Sequence, residues 1–173
     1  MKRISLAAAA LAGTAVLAAS PAFAITTSAS DNISVTLTVE ELCTITAPDF
    51  AFPTATFIDS VIDLTGDISV RCTKDSPYKI GLDGGLNGTV DQRKMISGSN
   101  TIDYQFYSDS NHSVVWGTTV GAGENTVNSE VGGATADEET HTIYARIPVQ
   151  DAPAGDYTDT VTATIWYAGG APE

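Results

Sequence analysis

Two cysteines are the residues of this chain best suited to covalent chemistry. Cys43 and Cys72 are the only cysteines in the 173-residue sequence. In an oxidising compartment two such thiols usually pair, and closing a loop of about 30 residues would stabilise the fold by roughly 3–4 kcal/mol. A metal site would need more ligands than these thiols and the distant His112 and His141 readily supply. We therefore predict a Cys43–Cys72 disulfide and no metal site.

The remaining polar residues give little indication of catalysis. His112 and His141 lie in polar stretches, and no Gly-x-Ser-x-Gly nucleophile turn occurs. The stretch 83–91 has some similarity to a calcium-binding loop, but it lacks the ligand spacing of an EF-hand. A glycine turn between strands is the preferred interpretation of that stretch. We predict that the chain is not an enzyme, with no catalytic residues and no cofactor.

Two tryptophans are the basis of the main alternative function, which is carbohydrate binding. Trp116 and Trp166 have indole rings that could stack on a sugar, which would suit a carbohydrate-binding protein or a tip adhesin. Packing of the same rings in a core or an interface is the preferred interpretation.

The N-terminus has the features of a secretory signal peptide. Lys2 and Arg3 supply positive charge, residues 4–19 are apolar, and Ala22-Phe23-Ala24 fits a signal-peptidase site. A membrane anchor is the alternative, but the apolar stretch is short and alanine-rich for that role. We predict that residues 1–24 are a signal peptide and that the mature protein reaches an oxidising, extracytoplasmic environment.

The mature chain is predicted to be strongly acidic. Cleavage would remove two of the eight basic residues and none of the 21 acidic ones, so the formal charge would change from −13 to −15. Such a surface repels nucleic acid and anionic lipid, so we predict no nucleic-acid partner and no stable membrane insertion. The length suits a single domain, which we assign to residues 42–173.

Apolar and polar residues alternate through most of the mature chain, which is typical of half-buried β-strands. Turn residues such as Asp83-Gly84-Gly85 separate the alternating runs. The sequence predicts an all-β sandwich of antiparallel sheets, with residues 121–139 as a long surface loop or edge hairpin. The runs lie at residues 33–39, 68–72, 78–82, 102–106, 143–147 and 158–167.

One of these runs has no evident partner in its own domain. Residues 33–39 precede Cys43, and the last run at 158–167 is followed by only six residues. A sandwich whose last strand lacks a neighbour exposes backbone groups and apolar core, which an arm from another molecule can cover. Head-to-tail contacts of that kind build filaments.

We therefore predict that residues 25–41 are an N-terminal donor-strand arm. Its alternating apolar side chains would enter the groove of a neighbouring subunit; they are Ile33, Val35, Leu37 and Val39. The alternative is an ordinary first strand packed on its own domain.

Nine short motifs, in this order and spacing, resemble those of the spore coat protein U domain family. That family includes the major subunits of archaic (Csu-type) chaperone–usher pili. Residues 153–161 are the most specific of the motifs, and Ala145 stands where the resemblance leads us to expect glycine. The motifs lie at residues 43–45, 50–53, 66–73, 78–85, 93–95, 102–107, 115–117, 143–147 and 153–161.

The resemblance implies an incomplete Ig-like, pilin-type β-sandwich that is completed by a neighbour's donor strand. It also implies a periplasmic chaperone, an outer-membrane usher, and identical or related subunits as partners. On this basis we expect export through the periplasm to a surface pilus that serves adhesion and biofilm formation. Assembly into a spore coat is an alternative that the family's name suggests.

Overall fold

The alternating residues form antiparallel strands, as predicted. The structure, a computed structural model, describes residues 28–129 and 137–167, and these contain eight strands and no helix. The predicted all-β fold is therefore confirmed, and the described part of the chain has no helix suited to crossing a membrane. The strands are β1 (Cys43–Thr46), β2 (Ile62–Cys72), β3 (Tyr78–Leu82), β4 (Arg93–Ser97), β5 (Asn100–Tyr107), β6 (Val127–Asn128), β7 (Glu139–Ile147) and β8 (Ala163–Tyr167).

The strands form two sheets that enclose one apolar core. The larger sheet has the order β1-β2-β7-β5-β4, and the smaller has the order β6-β3-β8. Every pair of neighbouring strands is antiparallel. Alternate residues of each strand point inward, so the period of two places Ile68 and Val70 of β2 in the core with Ile80 of β3. Ala145 of β7 is also fully buried there.

The main differences from the predicted runs are in β2, β4 and β8. β2 begins at Ile62, well before the predicted run at 68–72, and pairs with β7 along its length. β4 was not predicted from alternation. β8 begins at Ala163 rather than at residue 158, because Thr158 exchanges backbone hydrogen bonds with Ile96 of β4, whereas Ala163 pairs with β3. The chain therefore crosses from one sheet to the other between these two residues.

Two further predictions concern the segment 121–139 and the signal peptide. The segment 121–139, predicted as a surface loop or edge hairpin, contains β6, which pairs with β3, and β7 begins at its last residue, Glu139. Residues 130–136 of that segment lie outside the described residues. The predicted signal peptide, residues 1–24, also lies outside them, as do residues 168–173.

The chain divides into two units between Leu37 and Thr38. In the first unit, residues 28–37 have no regular secondary structure. The second unit contains all eight strands. The predicted run at 33–39 thus forms no strand in the isolated chain.

Candidate functional site

The sandwich is open along the edge strand β8. This strand pairs with β3 on one side, and no described strand pairs with its other side. All five β8 residues are only half-buried, whereas four of the five residues of the neighbouring β3 are buried. An edge strand of this kind presents unpaired N–H and C=O groups and an incompletely covered apolar face.

A groove of about 320 Å³ lies at the start of β8, within the unit that contains the strands. One wall is the segment 47–52 that follows β1, and the other is the segment 157–163 that leads into β8. The floor is mostly apolar and belongs to β3, β4, β5 and β7. The floor residues are Leu82, Met95, Tyr104, Phe106 and Ile143.

The first wall is held in place by an aromatic contact and a glycine. The ring of Phe50 packs against that of Phe106, with 5.1 Å between the ring centroids. A Cβ atom at Gly66 of β2 would lie 2.8 Å from Cζ of Phe50, so only glycine leaves room for this ring. The wall therefore lies close against β2 and leaves the space beside β8 unfilled.

Below the groove floor, Arg93 of β4 is completely buried. Its guanidinium donates hydrogen bonds to the carbonyl oxygens of Leu82 at 2.8 Å, Asp83 at 2.8 Å and Trp116 at 2.7 Å, and also to Oε1 of Gln105. Burial lowers the pKa of Arg93. A buried charge is tolerated only when its hydrogen bonds are satisfied. These four acceptors therefore hold the β3–β4 connection and the segment around Trp116 next to the Arg93 guanidinium.

The second wall is held by two carboxylates. Asp159 accepts hydrogen bonds from the Tyr104 hydroxyl at 2.7 Å, the Asn87 side chain at 2.8 Å and the Leu86 N–H at 3.0 Å. Burial, and then the bond to Asp159, raise the pKa of Tyr104, so its hydroxyl stays protonated and donates.

The second carboxylate, Asp83, ties the start of β8 to the glycine turn. It accepts hydrogen bonds of 2.9 Å from the N–H groups of Gly85 and Thr162. Burial raises the pKa of Asp83, but these two hydrogen bonds, a hydrogen bond with the Thr162 side chain and the positive charge of Arg93 together lower it below its ordinary value. Gly85 has a φ of 75°, and a Cβ there would lie 2.1 Å from Asp159. The turn that the sequence indicated at 83–85 therefore positions a groove wall, with the Asp83 carboxylate occupied by backbone groups.

The predicted disulfide is present and lies where the domain begins. Cys43 of β1 is directly opposite Cys72 of β2, with 4.0 Å between their Cα atoms. Thr73 adds hydrogen bonds to this junction. Its N–H donates to the Leu42 carbonyl at 2.8 Å, and its hydroxyl donates to the Glu40 carbonyl at 3.1 Å. The chain is thus anchored from residue 40 onward.

The four predicted arm residues have exposed side chains. Ile33 is 90% exposed, Val35 and Leu37 are each 88% exposed, and Val39 is 70% exposed. These are large apolar residues that alternate with Ser34, Thr36 and Thr38. The isolated chain therefore contains both an unfilled groove with a mostly apolar floor and an exposed apolar run, and the assignment of that run as a donor strand stays a prediction.

The two tryptophans and His141, which the sequence offered as candidate functional residues, make packing contacts and hydrogen bonds within the fold. Trp116 is fully buried and its indole N–H donates to the Ile80 carbonyl at 2.9 Å, so this ring cannot stack on a sugar. Trp166 is half-buried and packs against Gly81. The Tyr78 hydroxyl lies 2.7 Å from Nε2 of His141 and links the two sheets.

His112 has different neighbours from His141. Its Nε2 atom is 3.7 Å from Asp63, and its ring packs edge-on against those of Tyr107 and Tyr144. In the described ranges, no three potential metal ligands come together.

Comparison with known proteins places these features in a family. The model of the Spore Coat Protein U domain matches residues 29–164. Protein U of Myxococcus xanthus is 32% identical over 112 residues, which are 60% of this chain and 59% of that protein.

A similar solved structure is the CsuC–CsuE chaperone–tip adhesion subunit pre-assembly complex from archaic chaperone-usher Csu pili of Acinetobacter baumannii. The match has a TM-score of 0.57 and 27% identity, and it covers 74% of this chain and 40% of the solved chain. The chain thus spans less than two thirds of either relative.

Proposed function

This chain belongs to the Spore Coat Protein U domain family, and from this premise we propose that it is a structural subunit of a chaperone–usher surface pilus. The proposed subunits polymerise by donor-strand complementation, in which the arm of one subunit fills the groove of the next. The similarity to a chaperone-bound pilus subunit supports this function. The family and the fold are those of structural subunits rather than of enzymes.

The observation that carries the proposal is the unfilled groove beside the unpaired edge of β8. A groove of about 320 Å³ with a mostly apolar floor needs an occupant that supplies both a hydrogen-bonding backbone and apolar side chains at every second residue. Residues 33–39 have that pattern, and their four apolar side chains are exposed.

The free energy available from this exchange is large enough to hold a fibre together. Burying each of four such side chains contributes about 1.5–3 kcal/mol, or roughly 6–12 kcal/mol together. This is an upper range, because ordering the arm costs conformational entropy. Backbone hydrogen bonds along β8 add to the total.

The proposed route of the subunit to the cell surface follows from its assignment to a chaperone–usher pilus. Residues 1–24 serve as a signal peptide, residues 25–41 as the donor-strand arm and residues 42–173 as the pilin-like domain. A periplasmic chaperone holds each subunit, an outer-membrane usher exports it, and the fibres serve adhesion and biofilm formation.

The proposal is tested by placing a charge on one face of the arm. Leu37→Asp should abolish fibres, because the carboxylate would be buried without a partner. Thr36→Asp carries the same charge one residue away on the opposite face, so it should have much less effect. Both variants are expressed in the native secretion system, and surface fibres are quantified by electron microscopy and shearing.

Binding of each variant to the chaperone provides the folding control, since the arm lies outside the disulfide-anchored domain. Equal fibre yields from the two variants would contradict the donor-strand assignment and favour an ordinary first strand.

A spore-coat protein is the second candidate, favoured by the similarity to Protein U of Myxococcus xanthus. The same arm and groove would join subunits in such a coat. Fractionation of the native organism decides between the two, because a pilus subunit is recovered in fibres sheared from growing cells and a coat protein from spores.

A further inference from the structure

The inward-facing residues of β8, together with Val161 just before the strand, give four apolar positions at every second residue, the same number as in the arm. Ala163, Ile165 and Tyr167 lie directly opposite the buried Leu82, Ile80 and Tyr78 of β3, so they share the inward face. Val161 is two residues before Ala163 and also packs against the core. Thr162 lies between them and is exposed.

Resting on the function proposed above, we propose that the arm pairs with β8 of the next subunit in one antiparallel register. In it, each apolar arm residue lies opposite an apolar residue of the inner face. The four pairs are Val39 with Val161, Leu37 with Ala163, Val35 with Ile165, and Ile33 with Tyr167.

The backbone of β8 is oriented for this pairing. The Thr162 carbonyl accepts a hydrogen bond of 3.1 Å from the Asp83 N–H, so the backbone groups of Thr162 face the β3 side. Because these groups alternate in direction along a strand, those of Ala163 and Ile165 point to the unpaired edge. Antiparallel pairing is the arrangement of every strand pair in the protein.

Side-chain size supports the central pair. Ala163 has the smallest of the four inner side chains and lines the groove of about 320 Å³. Leu37 is therefore placed where β8 leaves the most room. Ile165 and Tyr167 do not line this groove, and β1 contacts β8, so the arm would have to separate these two strands as it pairs.

Carboxylates disfavour both neighbouring registers. A shift of two residues in one direction would set Val39 opposite Asp159, whose carboxylate is held by Tyr104 and Asn87 and would lose access to water. A shift of two in the other direction would set Glu41 opposite the apolar Val161. In the proposed register pairing ends at Val39, because the next inward pair would bring Glu41 to Asp159.

The register is tested by disulfide trapping in assembled fibres. In the proposed register, Thr38 of the arm and Thr162 of the next subunit are directly opposite each other as a non-hydrogen-bonded pair. The Cα atoms of such a pair are about 4.5 Å apart, which suits a disulfide between cysteines at these two positions. Subunits carrying Thr162→Cys are combined with one arm cysteine at a time, from Ser34→Cys, Thr36→Cys, Thr38→Cys or Glu40→Cys. Fibres are sheared, oxidised and separated by non-reducing electrophoresis.

We expect a covalent ladder of oligomers mainly from the Thr38→Cys arm, lost on reduction and absent from each single-cysteine variant. A ladder mainly from Thr36→Cys or Glu40→Cys would overturn this register in favour of a shift by two residues. One from Ser34→Cys would indicate a parallel arm or a shift by four. These results leave the donor-strand function standing. Fibres without a ladder from any pair would overturn the donor-strand function itself, and a crosslinked monomer would show that the arm enters its own groove.

Discussion

Replacing the buried Arg93 should destabilise the domain far more than replacing an arginine on its surface. In Arg93→Leu, the carbonyl oxygens of Leu82, Asp83 and Trp116 would lose a donor within the core. Leaving such groups unpaired costs about 1–3 kcal/mol each, or about 3–9 kcal/mol for three. Because the core relaxes around a substitution and single substitutions rarely cost more than about 5 kcal/mol, we expect a loss of roughly 3–5 kcal/mol in the free energy of unfolding.

Arg146→Leu is the matched control. Arg146 donates two hydrogen bonds to Asp63, at 2.7 and 2.8 Å, but this pair is at the surface. Surface ion pairs contribute about 0–1 kcal/mol. The two arginines are thus expected to differ because the acceptors of Arg93 are buried, whereas the Arg146–Asp63 pair is exposed to water.

The assay is urea unfolding of the disulfide-intact mature protein, followed by the combined fluorescence of the buried Trp116 and the half-buried Trp166. With a denaturant dependence of about 2 kcal/mol per molar urea, the Arg93→Leu midpoint should fall by roughly 1.5–2.5 M. The Arg146→Leu midpoint should fall by about 0.5 M or less. Equal shifts for the two variants would refute the assignment of Arg93 as the polar anchor of the groove floor.

Two further predictions concern the anchors of the domain. The double variant Cys43→Ser/Cys72→Ser should lose about 3–4 kcal/mol of unfolding free energy, and reducing agent should then have no further effect on its urea midpoint. A wild-type midpoint unchanged by reduction would contradict a stabilising disulfide. Because the folded-state pKa of Asp83 is lowered, its contribution to stability is present above its ordinary pKa and is lost as the pH falls through the folded value. Asp83→Asn should therefore be less stable at neutral pH and lose less stability on acidification, measured by thermal unfolding from pH 7 to pH 2. Parallel pH profiles for variant and wild type would contradict this linkage.

The sequence correctly predicted those strands in which apolar and polar residues alternate because one face of the strand is buried. The runs at 78–82 and 143–147 lie within β3 and β7 because their inward residues are apolar and their outward ones polar. β4 was missed because its first inward residue is Arg93, and an arginine in a sequence usually indicates a solvated position. Its burial depends on carbonyl oxygens from residues 82, 83 and 116, which only the folded chain brings together.

The sequence indicated that the sandwich has an open edge, but it did not indicate which residues form the walls of the groove. The unpaired last strand indicated an open edge, and β8 has one. The wall at 47–52 depends on the fit of Phe50 over Gly66, which alternation of residue types does not encode. The role of Asp159 was also missed, since it depends on Tyr104 and on the turn at 83–87. The only signal for it was its place in the motif at residues 153–161.

The most direct test of the central claim is whether an isolated arm fills the groove. A chain beginning at Glu40, which keeps the Thr73 hydrogen bonds, is refolded with a synthetic peptide of residues 29–39. Calorimetry should give one peptide per domain, with a dissociation constant of about 1 μM or tighter, equivalent to roughly −8 kcal/mol. The Leu37→Asp peptide should not bind, whereas the Thr36→Asp peptide should bind. Absence of binding by the natural peptide, or equal binding of all three, would contradict the claim that this groove takes the arm of a neighbouring subunit.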